Sequence, residues 1–149
     1  MIARRLALAS FVAAGALVSA GCAMTDSSSS SRATAMGSSM TVTLSARSEV
    51  PPNGSTGSGT GKVDLDGNVL KWTVTYQGLT GPVTAGHIHG PAPAGANAGV
   101  AIPFSSTASP ITGSATLSPA QLADLKAGLM YFNLHTAAHP GGEIRGQIR

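Results

Sequence analysis

With 149 residues, a formal net charge of +3 and a single cysteine, the chain is sized for one domain, not several. One cysteine excludes an internal disulfide framework and a thiolate metal cage. Its 9 Lys and Arg against 6 Asp and Glu are too few and too balanced for a nucleic-acid-binding surface, so no nucleic-acid partner is expected.

Residues 1–21 read as a secretory signal peptide. Arg4 and Arg5 precede an apolar run from Leu6 to Val18, and small residues follow up to Gly21. The run is short for a permanent membrane-spanning helix. Cys22 comes directly after Ser19-Ala20-Gly21, an arrangement that resembles a bacterial lipoprotein signal, although Ser19 stands where leucine is usual. The resemblance implies lipidation at Cys22 and an exported, membrane-anchored protein. With Ala23 next, it implies an outer membrane, facing the periplasm or the cell surface. Ordinary secretion, with Cys22 incidental, is the alternative. Removing the leader takes two basic residues and no acidic one, which leaves a nearly neutral chain. Residues 22–40 are Ser-rich and without periodicity, the composition of a tether, and residues 41–149 form the predicted domain.

Within the domain, alternation predicts strands. "TVTLSAR" places Val42, Leu44 and Ala46 on one face. "GSTGSGTGKV" looks like a phosphate-binding loop, but Val63 follows Gly61-Lys62 and no helix begins there, so a flexible hairpin loop is expected. "GKVDL" and "NVLKWTVTY" then read as a hairpin turning at Asp66-Gly67, with Leu70, Trp72, Val74 and Tyr76 on one face. "GVAIPF" suits a sheet edge or bulge because Pro103 cannot donate to a ladder, and "GSATLS" is a further strand. "SPAQLADLKAG" is the one predicted helix: Ser118 caps it, Pro119 opens it, Gln121 completes a capping box, and Gly128 stops it. Leu122, Leu125 and Leu129 make its buried stripe. "LMYFNLHT" and "GEIRGQIR" are closing strands joined through "AAHPGG". About seven short strands with Gly and Pro turns predict an all-β, antiparallel sandwich or flattened barrel with one short helix.

Chemistry concentrates at the histidines, since hydrolase signatures such as Gly-x-Ser-x-Gly are absent. In "AGHIHGPAPAG", an extended backbone puts His87 and His89 on one face, their Cα atoms roughly 6–7 Å apart. His135 ends the strand from Tyr131 to Thr136, His139 follows in the turn, and Glu143 lies close enough in sequence to add an oxygen. Two uses fit this spacing. The imidazoles can hydrogen-bond loop carbonyls, or they can ligate copper or zinc through His87, His89 and His135, with His139 and Glu143 as weaker candidates. Arg145 lies on the face of its strand shared with Glu143 and Gln147, where a structural Glu–Arg cross-strand pair is the expected role.

"GLTGPVTAGHIHGP", "LMYFNLHT" and "HPGGEIRGQI", with an early Glu-Val-Pro-Pro at 49–52, resemble the CHRD (chordin-type) domain over essentially the whole predicted domain. The resemblance implies an all-β, immunoglobulin-like sandwich, found in animal chordin and in bacterial secreted proteins and lipoproteins. It implies no settled enzymatic activity. "HIH" in a β-sandwich is also similar to the copper-binding strand of copper-zinc superoxide dismutases, although the rest of that metal loop is missing. Fold analogy alone carries no activity. Three expectations follow: a non-catalytic, membrane-tethered binding module that holds copper or zinc, a redox metalloenzyme, or a structural envelope or adhesion protein with a protein partner.

Overall fold

The computed structural model describes residues 37–149. The expected leader, Cys22 and the tether up to residue 36 lie outside the described residues. Eight strands follow in order: β1 (Ser38–Ser45), β2 (Ser58–Asp66), β3 (Val69–Gln77), β4 (Val83–His89), β5 (Val100–Pro103), β6 (Ile111–Thr116), β7 (Met130–Thr136) and β8 (Ile144–Ile148). One helix, α1 (Pro119–Lys126), crosses from β6 to β7, and a 3-10 turn occupies Ala46–Ser48. All pairings are antiparallel. They make one sheet of order β5-β4-β7-β8-β1-β2-β3-β6, curled into a nearly closed barrel. The predicted all-β class with one helix is thus the observed one.

Alternation builds the interior. Val42 and Leu44, Val63 and Leu65, Leu70, Trp72 and Val74, and Phe132 and Leu134 all point inward and are buried. β5 and β6 are the two edges of the sheet and do not pair with each other. Near this seam, Phe104 stacks on Trp72 with ring centroids 5.4 Å apart, so an aromatic contact packs where no ladder runs. Pro103 lies on an edge strand, as its missing N–H requires. Helix α1 carries the predicted capping box: Ser118 Oγ accepts from Gln121 N at 3.2 Å, and Gln121 Oε1 accepts from Ser118 N at 3.0 Å.

Three local expectations need correction. β1 begins at Ser38, ahead of Thr41, because Ser38 to Met40 continue the ladder with β2 opposite Leu65 to Val63. The hairpin turns at Gly67-Asn68 with Gly67 at φ 60, since Asp66 still pairs with Val69. The glycine run before β2 is not all loop, because Ser58, Gly59 and Thr60 are already strand. A close approach explains the glycine at 61: a Cβ there would lie 2.6 Å from the Phe132 ring, which fills the space instead.

β7 and β8 depart furthest from a half-buried strand. Every residue of β7 is buried, and so is most of β8. Their inner sides face the core, and their outer sides are covered by the β4–β5 loop and the segment after β1. The β4–β5 loop is tied down by Ala92 N to Leu129 O at 2.8 Å and by Gln147 Nε2 to Ala92 O at 2.9 Å. The other cover is held by Asn53 Nδ2, which donates to Glu143 O at 3.0 Å. A buried polar layer therefore lies on the outside of the barrel wall.

Gly61→Ala is expected to destabilise the fold by about 1–3 kcal/mol through overpacking against Phe132. Thermal or denaturant unfolding checks this, and an unchanged midpoint would contradict the close packing described.

Candidate functional site

The register between β4 and β7 assembles the polar layer. His89 lies opposite Tyr131, His87 opposite Asn133, and Ala85 opposite His135. With a period of two, His87, His89 and His135 project outward while Ile88, Phe132 and Leu134 project into the core. The three imidazoles converge, each offering one nitrogen within 4.8 Å of the others. His87 Nδ1 and His135 Nε2 are 3.1 Å apart.

Backbone carbonyls set the ring orientations. His89 Nδ1 is 3.0 Å from Ala98 O, and His135 Nδ1 is 3.1 Å from Pro140 O. A carbonyl only accepts, so both Nδ1 atoms carry the proton and both Nε2 atoms carry a lone pair. His89 Nε2 is buried and has no hydrogen-bond partner. His89 and His135 are buried, whereas His87 is half-buried and forms the open side. Burial, and then the neighbouring His135 and His89, hold the His87 imidazole below its ordinary range. Burial also lowers His135; its bond to Pro140 O opposes this and His89 adds to it. Both rings are thereby favoured in the neutral, electron-donating form.

Tyr131 is the plate behind the cluster. The His89 ring stacks on one side with centroids 5.1 Å apart and 10° between planes, and Arg145 Cζ lies 3.5 Å from the Tyr131 centroid. The Tyr131 hydroxyl accepts from Ala98 N at 3.0 Å, so a single loop residue holds both Tyr131 and His89. Arg145 is not in the expected pair with a glutamate. Its N–H groups donate to Asn97 Oδ1, Pro93 O and Gln147 Oε1. The reason is geometric: Glu143 is claimed elsewhere.

His139 and Glu143 do not join the three histidines. His139 is half-buried in the β7–β8 turn, where its backbone bonds to Thr136. Glu143 is buried and accepts from Ser55 Oγ at 2.6 Å, Thr80 N at 2.7 Å, Thr80 Oγ1 at 2.8 Å and the Thr136 hydroxyl. Burial raises its carboxyl, but these donors outweigh burial and hold it down to about 2. Glu49 shows the opposite balance. Burial pushes it up to about 7, against the lowering by Arg145 and the Val50 backbone, and its Oε1 has no partner. Asn133 Oδ1 is likewise unpartnered and buried, and both oxygens crowd Gly142, whose φ of 132 and missing Cβ let the chain pass.

Sequence reading found the three histidines but not Tyr131, Asn133 or Glu49 as parts of the layer. The alternation that places His135 outward also places Tyr131 and Asn133 outward, so that signal was present for two of them. Nothing in the sequence marks Glu49 as buried.

The model of the CHRD domain family matches residues 40–148. Neither a curated protein nor a solved structure matches the chain.

The two carboxyls predict opposite acid responses. Glu143, about 2 when folded against 4.5 when unfolded, contributes roughly 3 kcal/mol that is complete above about pH 4.5 and is lost as pH falls toward 2. Glu49, about 7 against 4.5, makes stability fall as pH rises from about 4.5 to 7. Glu49→Gln is expected to stabilise the protein at pH 8 by on the order of 1–3 kcal/mol and to make no difference at pH 4. Melting curves of the two proteins across pH read the difference; an equal effect at both pH values would refute it.

Proposed function

The chain belongs to the CHRD domain family, and from that premise we propose that it is an extracytoplasmic, lipid-anchored binding module that holds one copper or zinc ion in His87, His89 and His135, without catalytic turnover. The observation that carries the metal reading is the orientation of the buried rings. Two Nδ1–H groups are committed to backbone carbonyls, and a buried Nε2 is left without a partner beside two further imidazole nitrogens. An outer hydrogen bond on the far nitrogen is the usual device for aiming a ligating histidine. An unpartnered buried acceptor otherwise costs about 1–3 kcal/mol.

The donor set suits borderline metals. Three neutral imidazoles with no thiolate favour copper or zinc over magnesium or calcium, and three protein ligands leave a fourth position open. Tetrahedral nitrogen ligands about 2.1 Å from an ion stand about 3.4 Å apart, so nitrogens that lie within 4.8 Å of one another must close somewhat. His87 can supply that movement, because it is half-buried and its Nδ1 is bonded only to His135. A bound ion would supply a positively charged, partly open coordination centre beside the Tyr131 plate. Support for the anchor is the leader and Cys22.

The purified protein is expected to bind copper(II) or zinc(II) at one ion per chain at micromolar concentration. His89→Ala and His135→Ala should each lose it while keeping the β-type circular dichroism. Saturation at about 100 times Kd should raise stability by about 2.7 kcal/mol. No stoichiometric binding, or binding indifferent to both substitutions, would sink the metal reading and favour a structural protein. Superoxide turnover by the loaded protein would replace the non-catalytic reading with an enzymatic one. For the anchor, Cys22→Ala should move the protein from the membrane to the soluble fraction; retention in the membrane would contradict lipidation.

A further inference from the structure

We propose that the cavity on the outer side of β1 and β8 is a binding site for a small organic anion, one presenting a carboxylate or phosphate oxyanion to Arg47, Arg145 and Arg149. The cavity measures about 620 Å³, within the range of small-molecule clefts and far larger than a bare ion needs. It lies apart from the histidine cluster, which contributes none of its lining. Arg47, Arg145 and Arg149 and one carboxyl residue, Glu49, line it, with Val50 and Pro52 as apolar wall.

The argument starts from the buried charge on Arg145, whose exposure is 1%. A guanidinium taken out of water is costly unless a counter-charge accompanies it. Arg145 has Tyr131 on one face, and its hydrogen bonds end on neutral oxygens: Asn97 Oδ1 at 3.2 Å, Pro93 O at 3.3 Å and Gln147 Oε1 at 3.2 Å. These take both N–H groups of Nη2 and one of Nη1; no anionic partner is among them, and the positive charge is left without a full counter-charge. Glu49 does not neutralise it in full, since Glu49 Oε1 is unpartnered and burial keeps much of that carboxyl protonated near neutral pH. Arg47 and Arg149 are exposed lining residues, so the cavity combines one fixed, buried cation with two adjustable, exposed ones. An oxyanion meets the planar donors of the exposed Arg47 and Arg149 guanidinium groups through paired hydrogen bonds, Arg145 adds a fixed charge behind them, and the apolar wall fits an organic body.

The test is titration of the metal-free protein at low ionic strength with succinate and with glycerol phosphate, using calorimetry and melting shifts. Sodium chloride at matched ionic strength is the control. Saturable binding by either probe is expected, with the tighter one telling whether carboxylate or phosphate is preferred. Arg47→Ser and Arg149→Ser, at exposed positions, should each weaken it by about tenfold while leaving the ligand-free melting temperature nearly unchanged. No saturable binding by either probe up to about 10 mM would overturn the proposal. So would binding that chloride reproduces, or binding that survives both exposed substitutions together. Because no histidine enters the experiment, its failure leaves the metal reading untouched.

Discussion

The structure turns on one constraint: β7 is buried on both faces, so the side of it that would normally face water must be made of polar groups that satisfy one another. The inner face carries Met130, Phe132 and Leu134 in the barrel core. The outer face carries Tyr131, Asn133 and His135, roofed by loops that bring carbonyl oxygens and amides to them. A buried polar group without a partner costs enough to matter to a marginally stable domain. The roof is therefore as much a part of the fold as the core is. Pro93, Ala98 and Pro140 act through their backbone oxygens, which is why loops of such plain composition hold charged and aromatic side chains in place.

That layer sorts identical side chains into different chemical states. Glu143 meets four donors and stays ionised well into acid, whereas Glu49, close by along the same layer, keeps one oxygen unpartnered and resists ionisation. Hydrogen-bond donors decide the difference more than distance from water does. The histidines follow the same logic. Carbonyl acceptors at Nδ1 select one tautomer for His89 and His135, which leaves His89 Nε2 bare and turns His135 Nε2 toward His87. Tyr131 links the two halves, with the His89 imidazole and the Arg145 guanidinium both packed on its ring.

Much of the architecture was legible from period and punctuation. The inward positions of β1, β2 and β3, the edge placement of Pro103, and the capping box of α1 all follow from local rules that need no distant contact. The misread places share a cause. Gly59 and Gly61 look like loop residues until Ile144 and Phe132 are known to occupy the space of their missing side chains. The hairpin centred one residue later because its register is shared with the whole β2–β3 ladder. His139 and Glu143 seemed close to His135 along the chain, yet the β7–β8 turn directs Glu143 toward Ser55 and Thr80, far away in sequence.

By itself, then, the sequence determined one all-β domain, the family to which that domain belongs, and a His-x-His pair on one side of a strand. These are properties of neighbours along the chain, where side-chain alternation and short motifs act. Tertiary structure alone decided that His135 completes a cluster with that pair, that Arg145 rests on Tyr131 and not on a glutamate, and that three arginines share a cavity. Each of these depends on strand register and on loops folding back over an outer face, and the energy that sets them is the burial of polar groups whose partners lie some 30 to 90 residues away in the chain.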